Sequence, residues 1–435
     1  MSDSVQMMVR PGEPLDLYYY SGDTSKKQAF PTTQNTKYQQ QLNNLRGGTS
    51  TFLFPPQCGL QDVVVTMTFP AISSVAGSTD DLALPSGWGY ALLKSCSWRY
   101  AGTSQFLVDG QQLLQNALRD QTSRSSCDDI LNLGGNYASG DDFLKPQTAN
   151  IVLRLPHASA SGVNKQLPFP TDALTQQVQI LLELQNVADI FTNAVPANPI
   201  PSACSQLDSA FFQVQQIMFN NMGDALARRV DLSSKAYAFP CEFVQQKVVI
   251  NNLIFDPLGL NQPPNSVVLS GFRAGQVKSI QIWCTSNEDT IVSPTARNGR
   301  AFQPQKWYAP VSVEMLYAGD IYARYNNGVG QLFNLLNSNK ASAVNTVSIN
   351  PTPFGIANPP NAHVSQWLEL PFAQPLCDED AHFILLHGKA ITNGIINLNN
   401  LILPSVASPS GWTLNISYVY NCTILFSQGS CDYVF

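Results

Sequence analysis

The side chains able to do acid–base, nucleophilic or metal chemistry are few in this chain, and they do not gather. There are four histidines, His157, His363, His382 and His387, and none has a neighbour at the spacing of a metal-ligand pair. His382 follows Cys377-Asp378-Glu379-Asp380, whose thiolate and carboxylates could join an imidazole around zinc. The same string reads more simply as an acidic turn leading into the apolar run Phe383-Ile384-Leu385-Leu386, because aspartate favours turns. Asp80-Asp81 and Asp141-Asp142 offer oxygen ligands for calcium, although adjacent acids in loops rich in glycine and serine are more often just hydrated. The strings that cradle phosphates or activate a nucleophile, GxxxxGK[ST], GxGxxG, GxSxG and HExxH, do not occur. The expectation is a protein that is not an enzyme, with no catalytic residue, no cofactor-binding residue and no metal ligand.

The elements that carry these residues point to strands. Gly59 opens a run in which Val63, Val65, Met67 and Phe69 alternate with Val64, Thr66 and Thr68, and Gly275 opens one in which Ile280 and Ile282 alternate with Ser279 and Gln281. Alternation of this kind is the mark of a half-buried strand, since successive side chains point to opposite faces. Three further matches follow in order. Phe106-Leu107-Val108-Asp109-Gly110 precedes Leu113, Leu114 and Leu118, while Val313 to Gly319 precedes Leu332, Phe333, Leu335 and Leu336, each reading as a strand, a glycine turn and a short helix. Leu167-Pro168-Phe169 with Ile180-Leu181-Leu182 resembles Leu370-Pro371-Phe372 with Ile384-Leu385-Leu386, and Tyr237-Ala238-Phe239-Pro240-Cys241 resembles Tyr418-Val419-Tyr420-Asn421-Cys422. Their offsets are 216, 209, 203 and 181, as loop insertions in a first copy would produce, because loops tolerate length change and strands do not. The second half therefore repeats the first. Ser209 to Leu226, with Phe211, Phe212, Val214, Ile217 and Met218, fits a helix or a strand, and the strand is the expectation.

The chain of 435 residues has room for two such copies. Only 12% of its residues are charged, about half the usual share, so its polar surface is built from Asn, Gln, Ser and Thr. Such a surface suits a protein whose flanks are covered by neighbours better than one that stays apart from its copies in solution. The formal net charge of −6 speaks against direct nucleic-acid wrapping, where phosphate contacts need Lys and Arg. Nine cysteines lie scattered without a CxxC pair, the beginning Met1-Ser2-Asp3-Ser4-Val5 lacks the basic and apolar regions of a signal peptide, and a reducing compartment with free thiols is expected. The sequons Asn415-Ile416-Ser417 and Asn421-Cys422-Thr423 then carry no glycan. The six tryptophans (88, 98, 283, 307, 367, 412) are read as core or interface packing. Residues 1–48, with Tyr18-Tyr19-Tyr20 and a glutamine-rich stretch, lack sustained periodicity. They read as an arm, either disordered or ordered by contact with a neighbouring subunit.

Two tandem β-units fit two eight-stranded jelly rolls with long loop insertions and few short helices, an all-β fold. At this point the sequence resembles a double jelly-roll major capsid protein of the tailless double-stranded DNA virus lineage. That lineage includes adenoviruses, membrane-containing phages, large nucleocytoplasmic DNA viruses, virophages and polinton-like viruses. The resemblance rests on Phe106 to Leu114, on Leu167-Pro168-Phe169-Pro170 followed by Val178 to Leu184, and on Tyr420 to Gly429. It departs from the large-virus pattern in lacking an aromatic and basic run near the N-terminus, which leans toward a smaller virus. The resemblance implies an arm over 1–48, a first jelly roll over 49–251 and a second over 252–435. It also implies a homotrimer that tiles an icosahedral shell as a pseudo-hexamer, with neighbouring capsomers, minor capsid or cement proteins and an internal membrane as partners, and no specific nucleic-acid binding. Its place would be the virion, after folding in the host cell interior without secretion. The alternative is a two-domain jelly-roll carbohydrate-binding protein or hydrolase, which would need paired carboxylates or a histidine cluster in a cleft.

Overall fold

The computed structural model describes residues 33–54, 59–72, 82–100, 103–119, 124–153, 169–193, 205–219, 223, 226, 230, 237–244, 248–253, 265–269, 275–286, 307–308, 310, 312–317, 319–326, 368–371, 389–391, 396–402 and 412–434. In the first half the strands are β1 (Thr33–Gln41), β2 (Gly48–Leu53), β3 (Gly59–Phe69), β4 (Leu82–Leu84), β5 (Leu93–Tyr100), β6 (Thr103–Val108), β7 (Ala138–Ser139), β8 (Gln147–Leu153), β9 (Phe169–Pro170), β10 (Val178–Leu184), β11 (Thr192–Asn193) and β12 (Ser209–Phe219). Two antiparallel four-strand orders carry the architecture, β1-β12-β3-β8 and β2-β10-β5-β6, with β9 added to the start of β3 and a small sheet β11-β4-β7. The first strand thus pairs with the last, as the wound-up connection of a jelly roll brings about.

Side-chain alternation explains why the two orders stack. On β3, Val63, Val65, Met67 and Phe69 are fully buried while Val64, Thr66 and Thr68 are half-buried, and β10 repeats the pattern with Val178, Ile180, Leu182 and Leu184 inside. The buried faces meet through aromatic rings. Phe52 of β2 lies 5.1 Å from Phe212 of β12, and Trp98 of β5 stacks on Phe54 at 5.4 Å with 7° between the planes. Among the described residues, helices over Trp88–Leu92, Gly110–Arg119 and Arg124–Leu133 interrupt the strands.

The second half holds β13 (Tyr237–Val244), β14 (Val248–Leu253), β15 (Asn265–Leu269), β16 (Gly275–Ser286), β17 (Trp307–Tyr308), β18 (Ser312–Tyr317), β19 (Asp320–Asn326), β20 (Leu368–Pro371), β21 (Lys389–Ile391), β22 (Ile396–Ile402), β23 (Trp412–Ser427) and β24 (Ser430–Val434). Its pairings contain the orders β14-β23-β16-β20 and β15-β22-β18-β19, the same two orders as in the first half. Even the register repeats. Trp98 stands opposite Phe106 and Ile180, and Met315, 217 residues later, stands opposite Ala323 and Leu398.

The repeat is real, yet only its first match aligns equivalent strands, β3 with β16. The second match set β6 against β18, whereas β18 pairs on both sides like β5, and β19 is the partner of β6 in the repeat. The glycines misled: Gly110 opens a helix, while Gly319, at φ +90°, turns directly into β19. In the third, β20 borders the middle of β16 as β8 borders β3, so it is not the counterpart of β9. The fourth set β13 against β23, but these are neighbours in one sheet, with Cys241 opposite Cys422. Leu332 to Leu336 and Ile384 to Leu386 lie outside the described residues. Of the strand expected over Ser209 to Leu226, Ser209–Phe219 is one, while Gly223 and Leu226 beyond it are helical.

Sheet pairing also moves the expected limits. Thr33–Gln41, assigned to the arm, pairs along its whole length with β12, a backbone pairing that its polar sequence does not announce. At the other boundary, β13 and most of β14 precede residue 252 but pair with β23 of the second half.

The hairpin β23–β24 ties the halves together. Gln428 (φ 50°) and Gly429 (φ 77°) both take positive φ, as a two-residue turn between twisted antiparallel strands requires. The Gly429 carbonyl accepts hydrogen bonds from Thr175 N at 2.9 Å, from Thr175 Oγ1 at 3.1 Å and from the Tyr100 hydroxyl, and Phe426 packs 5.4 Å from Phe169. A Cβ at position 429 would press on Thr175 Cγ2 and stand 3.3 Å from its Cβ, besides holding an unfavourable φ. Gly429→Ala is therefore expected to cost about 1–3 kcal/mol, read as a lower denaturant midpoint with weakened amide protection along 423–434. An unchanged midpoint would show that the latch contributes nothing.

Candidate functional site

Of the residues singled out for chemistry, only Asp141 and Asp142 lie among the described residues. His157, His363, His382, His387, the Cys377 to Asp380 string, Asp80 and Asp81 all lie outside the described residues. Asp141 and Asp142 sit in the short 3-10 turn Gly140–Leu144, where Asp142 Oδ2 accepts from Ser139 N at 3.1 Å in a capping box. That carboxylate is occupied by a structural task. Among the described residues no group of three or more His, Cys, Asp or Glu could hold a metal ion, and no helix is long and apolar enough to cross a membrane. Trp88, Trp98, Trp283, Trp307 and Trp412 are buried, as expected for packing; Trp367 is not described.

Cys96, Cys284, Cys422 and Cys431 are buried. Burial pushes the Cys96 thiol up to about 12 and raises that of Cys284 as well, because a thiolate has no solvation there. Both should resist alkylation at mildly alkaline pH until the chain unfolds, a result that mass spectrometry of native and denatured samples would show. Full labelling of either in the native protein would contradict its placement. The ion pair of Lys94 with Glu183 at 2.7 Å holds the Glu183 carboxyl below its ordinary range and is too exposed to stabilise much.

What the fold does build is a pair of uncharged polar surfaces. On the outer face of the second half's larger sheet, three cross-strand pairs line up: Gln281 with Ser417, Trp283 with Asn415, and Thr285 with Thr413. All six are buried, so β16 and β23 are covered on both faces and not half-buried as the alternation suggested. Part of the cover is supplied within the second half, where Trp307 lies 6.3 Å from Trp283, and part by the first half. The helix Gly110–Arg119 turns Leu113, Leu114 and Leu118 to the core, yet Gln111, Gln112, Gln115 and Asn116 are buried too, and Gln112 Nε2 donates to Ser417 Oγ at 3.2 Å in a buried contact. Asn415 Nδ2 donates to Thr285 Oγ1 at 3.2 Å within the sheet face. Sequence reading took the leucines as the message of this helix and missed the amides. Their signal was available: a helix whose polar residues before Arg119 are all uncharged amides has little to gain from facing water.

The corresponding face of the first half has the same build. Val64 with Gln213, Thr66 with Phe211 and Thr68 with Ser209 stand in cross-strand register, and Thr66 Oγ1 donates to Asn150 Oδ1 at 2.8 Å. Here the residues are half-buried or exposed. One surface is sealed and its counterpart is open.

No protein-family model and no curated protein sequence matches the chain. Its backbone does match solved structures over nearly their full length. VP54 of PBCV-1, in a crystal structure fitted into a reconstruction of the virophage Sputnik, superposes with a TM-score of 0.60 at 11% identity, covering 94% of this chain and 98% of that one. The chain has the all-β jelly-roll fold of viral capsid proteins. The Faustovirus major capsid protein aligns with a TM-score of 0.53 at 10% identity over 94% and 92% of the two chains, and the mavirus major capsid protein with 0.51 at 11% over 93% and 90%. At such identity the likeness to these capsid proteins is one of strand order and not of residues. That agrees with a fold held by alternating burial, which many sequences satisfy.

Proposed function

We propose that this chain is a structural capsid protein, the major subunit of an icosahedral virus shell, and not an enzyme. The observation that carries the reading is the duplicated strand order, β1-β12-β3-β8 with β2-β10-β5-β6 and again β14-β23-β16-β20 with β15-β22-β18-β19. It is reinforced by superposition on capsid proteins from end to end of both chains. Read as two eight-stranded jelly rolls over about 33–219 and 237–434, three copies would place six such units around one axis and give a near-hexagonal tile. The work of the protein is then burial of surface between copies. Obligate contacts of this kind bury more than ~2,000 Å², and a surface with 12% charged residues is cheap to desolvate.

In this reading the partners are neighbouring capsomers, with minor capsid or cement proteins and an internal membrane on the inner side, where residues 1–32 preceding β1 would reach them. The net charge of −6 supports no specific nucleic-acid contact. The place of action is the virion, after folding inside the host cell. Light scattering coupled to size exclusion tests the core of the proposal: a stable species of three chains that survives dilution is expected, followed by hexagonal tiles in electron micrographs. A monomer that persists at high concentration would overturn it.

A further inference from the structure

We infer that the seam between the two halves of the chain is a closed water-binding site, in which trapped water joins the amide stripe of the helix Gly110–Arg119 to the outer face of β16. The inference concerns a single chain, so it stands or falls independently of the trimeric reading above.

The helix is buried on two opposite sides. Leu113, Leu114 and Leu118 occupy one, while Gln112, Gln115 and Asn116, spaced three and four residues apart, form a stripe along the other. That stripe faces β16 and β23, because Gln112 Nε2 donates to Ser417 Oγ at 3.2 Å. Ser417 stands opposite Gln281, and Trp283 is the next residue of β16 on the same face. One helical turn on one side and two strand residues on the other, each a step of about 5–7 Å, connect this direct contact to Gln115, Asn116 and Trp283.

Around that contact the polar groups are left over. Gln115, Gln281 and Trp283 are 0% exposed and Asn116 4%, yet the side-chain nitrogen and oxygen of each amide and the Trp283 Nε1 have no hydrogen-bond partner among the described residues. Buried polar groups are paired in roughly nine cases in ten, so a cluster of unpaired ones at one seam calls for a partner other than these side chains.

The chemistry of the seam selects that partner. The amides offer both donors and acceptors and the indole one more donor. None of the four carries charge, so an ion would lie there uncompensated. Near-zero exposure closes the seam to a solute that must enter after folding, whereas water is enclosed as the halves meet. A buried water makes about three hydrogen bonds, enough to bridge an amide of the helix to Gln281 or to the Trp283 indole across the seam.

A density map of the full chain, from crystals or assembled particles and fine enough to show ordered water, tests this directly. Water peaks within ~2.7–3.2 Å of the amides of Gln115, Asn116 and Gln281 are expected. The same amides without water, whether or not they have turned to bond one another, or an ion or organic molecule between them, would overturn the inference. Gln281→Met gives a second reading in solution. An amide held by water alone can leave together with that water, so the denaturant midpoint should stay unchanged, whereas an amide bonded directly to Gln115 or Asn116 would leave that partner buried and unpaired. A lowered midpoint that Gln115→Met or Asn116→Leu on the same chain restores would therefore mean direct pairing and sink the inference. In any other case, including a Gln281→Met chain that does not fold, the map decides alone.

Discussion

Trp98→Ala should lower the free energy of unfolding by about 3–5 kcal/mol, the range for removing a large aromatic side chain from a packed core. Trp98 is 2% exposed and belongs to β5, whose pairing with β6 and β10 makes it the centre of its sheet face. It stacks on Phe54 and lies 6.2 Å from Phe169, which touches Phe426 of the C-terminal hairpin. The cavity would therefore open where the first half's sheets meet and where the second half is latched. With domains stable by only ~5–15 kcal/mol, such a loss is about a fifth of the whole at the least. Equilibrium denaturation is the measurement, with Trp98→Phe expected to keep most of the stability because it preserves the ring contact. A loss under about 1 kcal/mol for Trp98→Ala would mean that the core collapses around the gap.

The fold class could be read from the chain because its signal is local and redundant. Val63, Val65, Met67 and Phe69 on one face of β3, and Val178, Ile180, Leu182 and Leu184 on one face of β10, announce half-buried strands without any knowledge of their partners. The pairing of strands was not legible in the same way. Tyr237-Ala238-Phe239-Pro240-Cys241 and Tyr418-Val419-Tyr420-Asn421-Cys422 resemble each other because both line the same sheet as neighbours, and shared surroundings select similar residues as surely as common descent does. Likewise β1 went unseen because Thr33–Gln41 is almost wholly polar; its place is fixed by backbone pairing with β12, which leaves no imprint on side-chain pattern.

The surfaces that matter were half legible. Scarce charge pointed to covered flanks, and the second half's sheet is indeed covered on both faces at Ser279 to Thr285 and Trp412 to Tyr420. Which flank is covered, and by what, depends on contacts between residues some 300 apart, such as Gln112 and Ser417. A periodicity argument works within one element and cannot reach that far.

The helix that makes this contact supplies a test in which two effects oppose each other. Gly110 is its first residue, after Asp109, whose Oδ1 accepts from Gln112 N at 2.7 Å and caps the helix. If helix propensity decided the outcome, Gly110→Ala would stabilise the protein by up to about 1 kcal/mol. Space decides otherwise. An alanine Cβ would run into the carbonyl oxygen of Tyr90 and come within 2.6 Å of that of Leu93. These are backbone atoms, and the Tyr90 carbonyl already accepts from Leu93 N to end the helix Trp88–Leu92, so neither can yield as a flexible side chain would. Gly110→Ala should therefore destabilise by about 3 kcal/mol or more, the upper range for overpacking a closed site. Moving the helix outward would also drag Gln112 from Ser417 and loosen the cover over β16 and β23. Denaturant unfolding gives the sign, and hydrogen exchange along 279–285 and 412–420 reports the cover. A stabilised variant with unchanged protection there would mean that the helix does not sit against the Trp88–Leu92 turn as described.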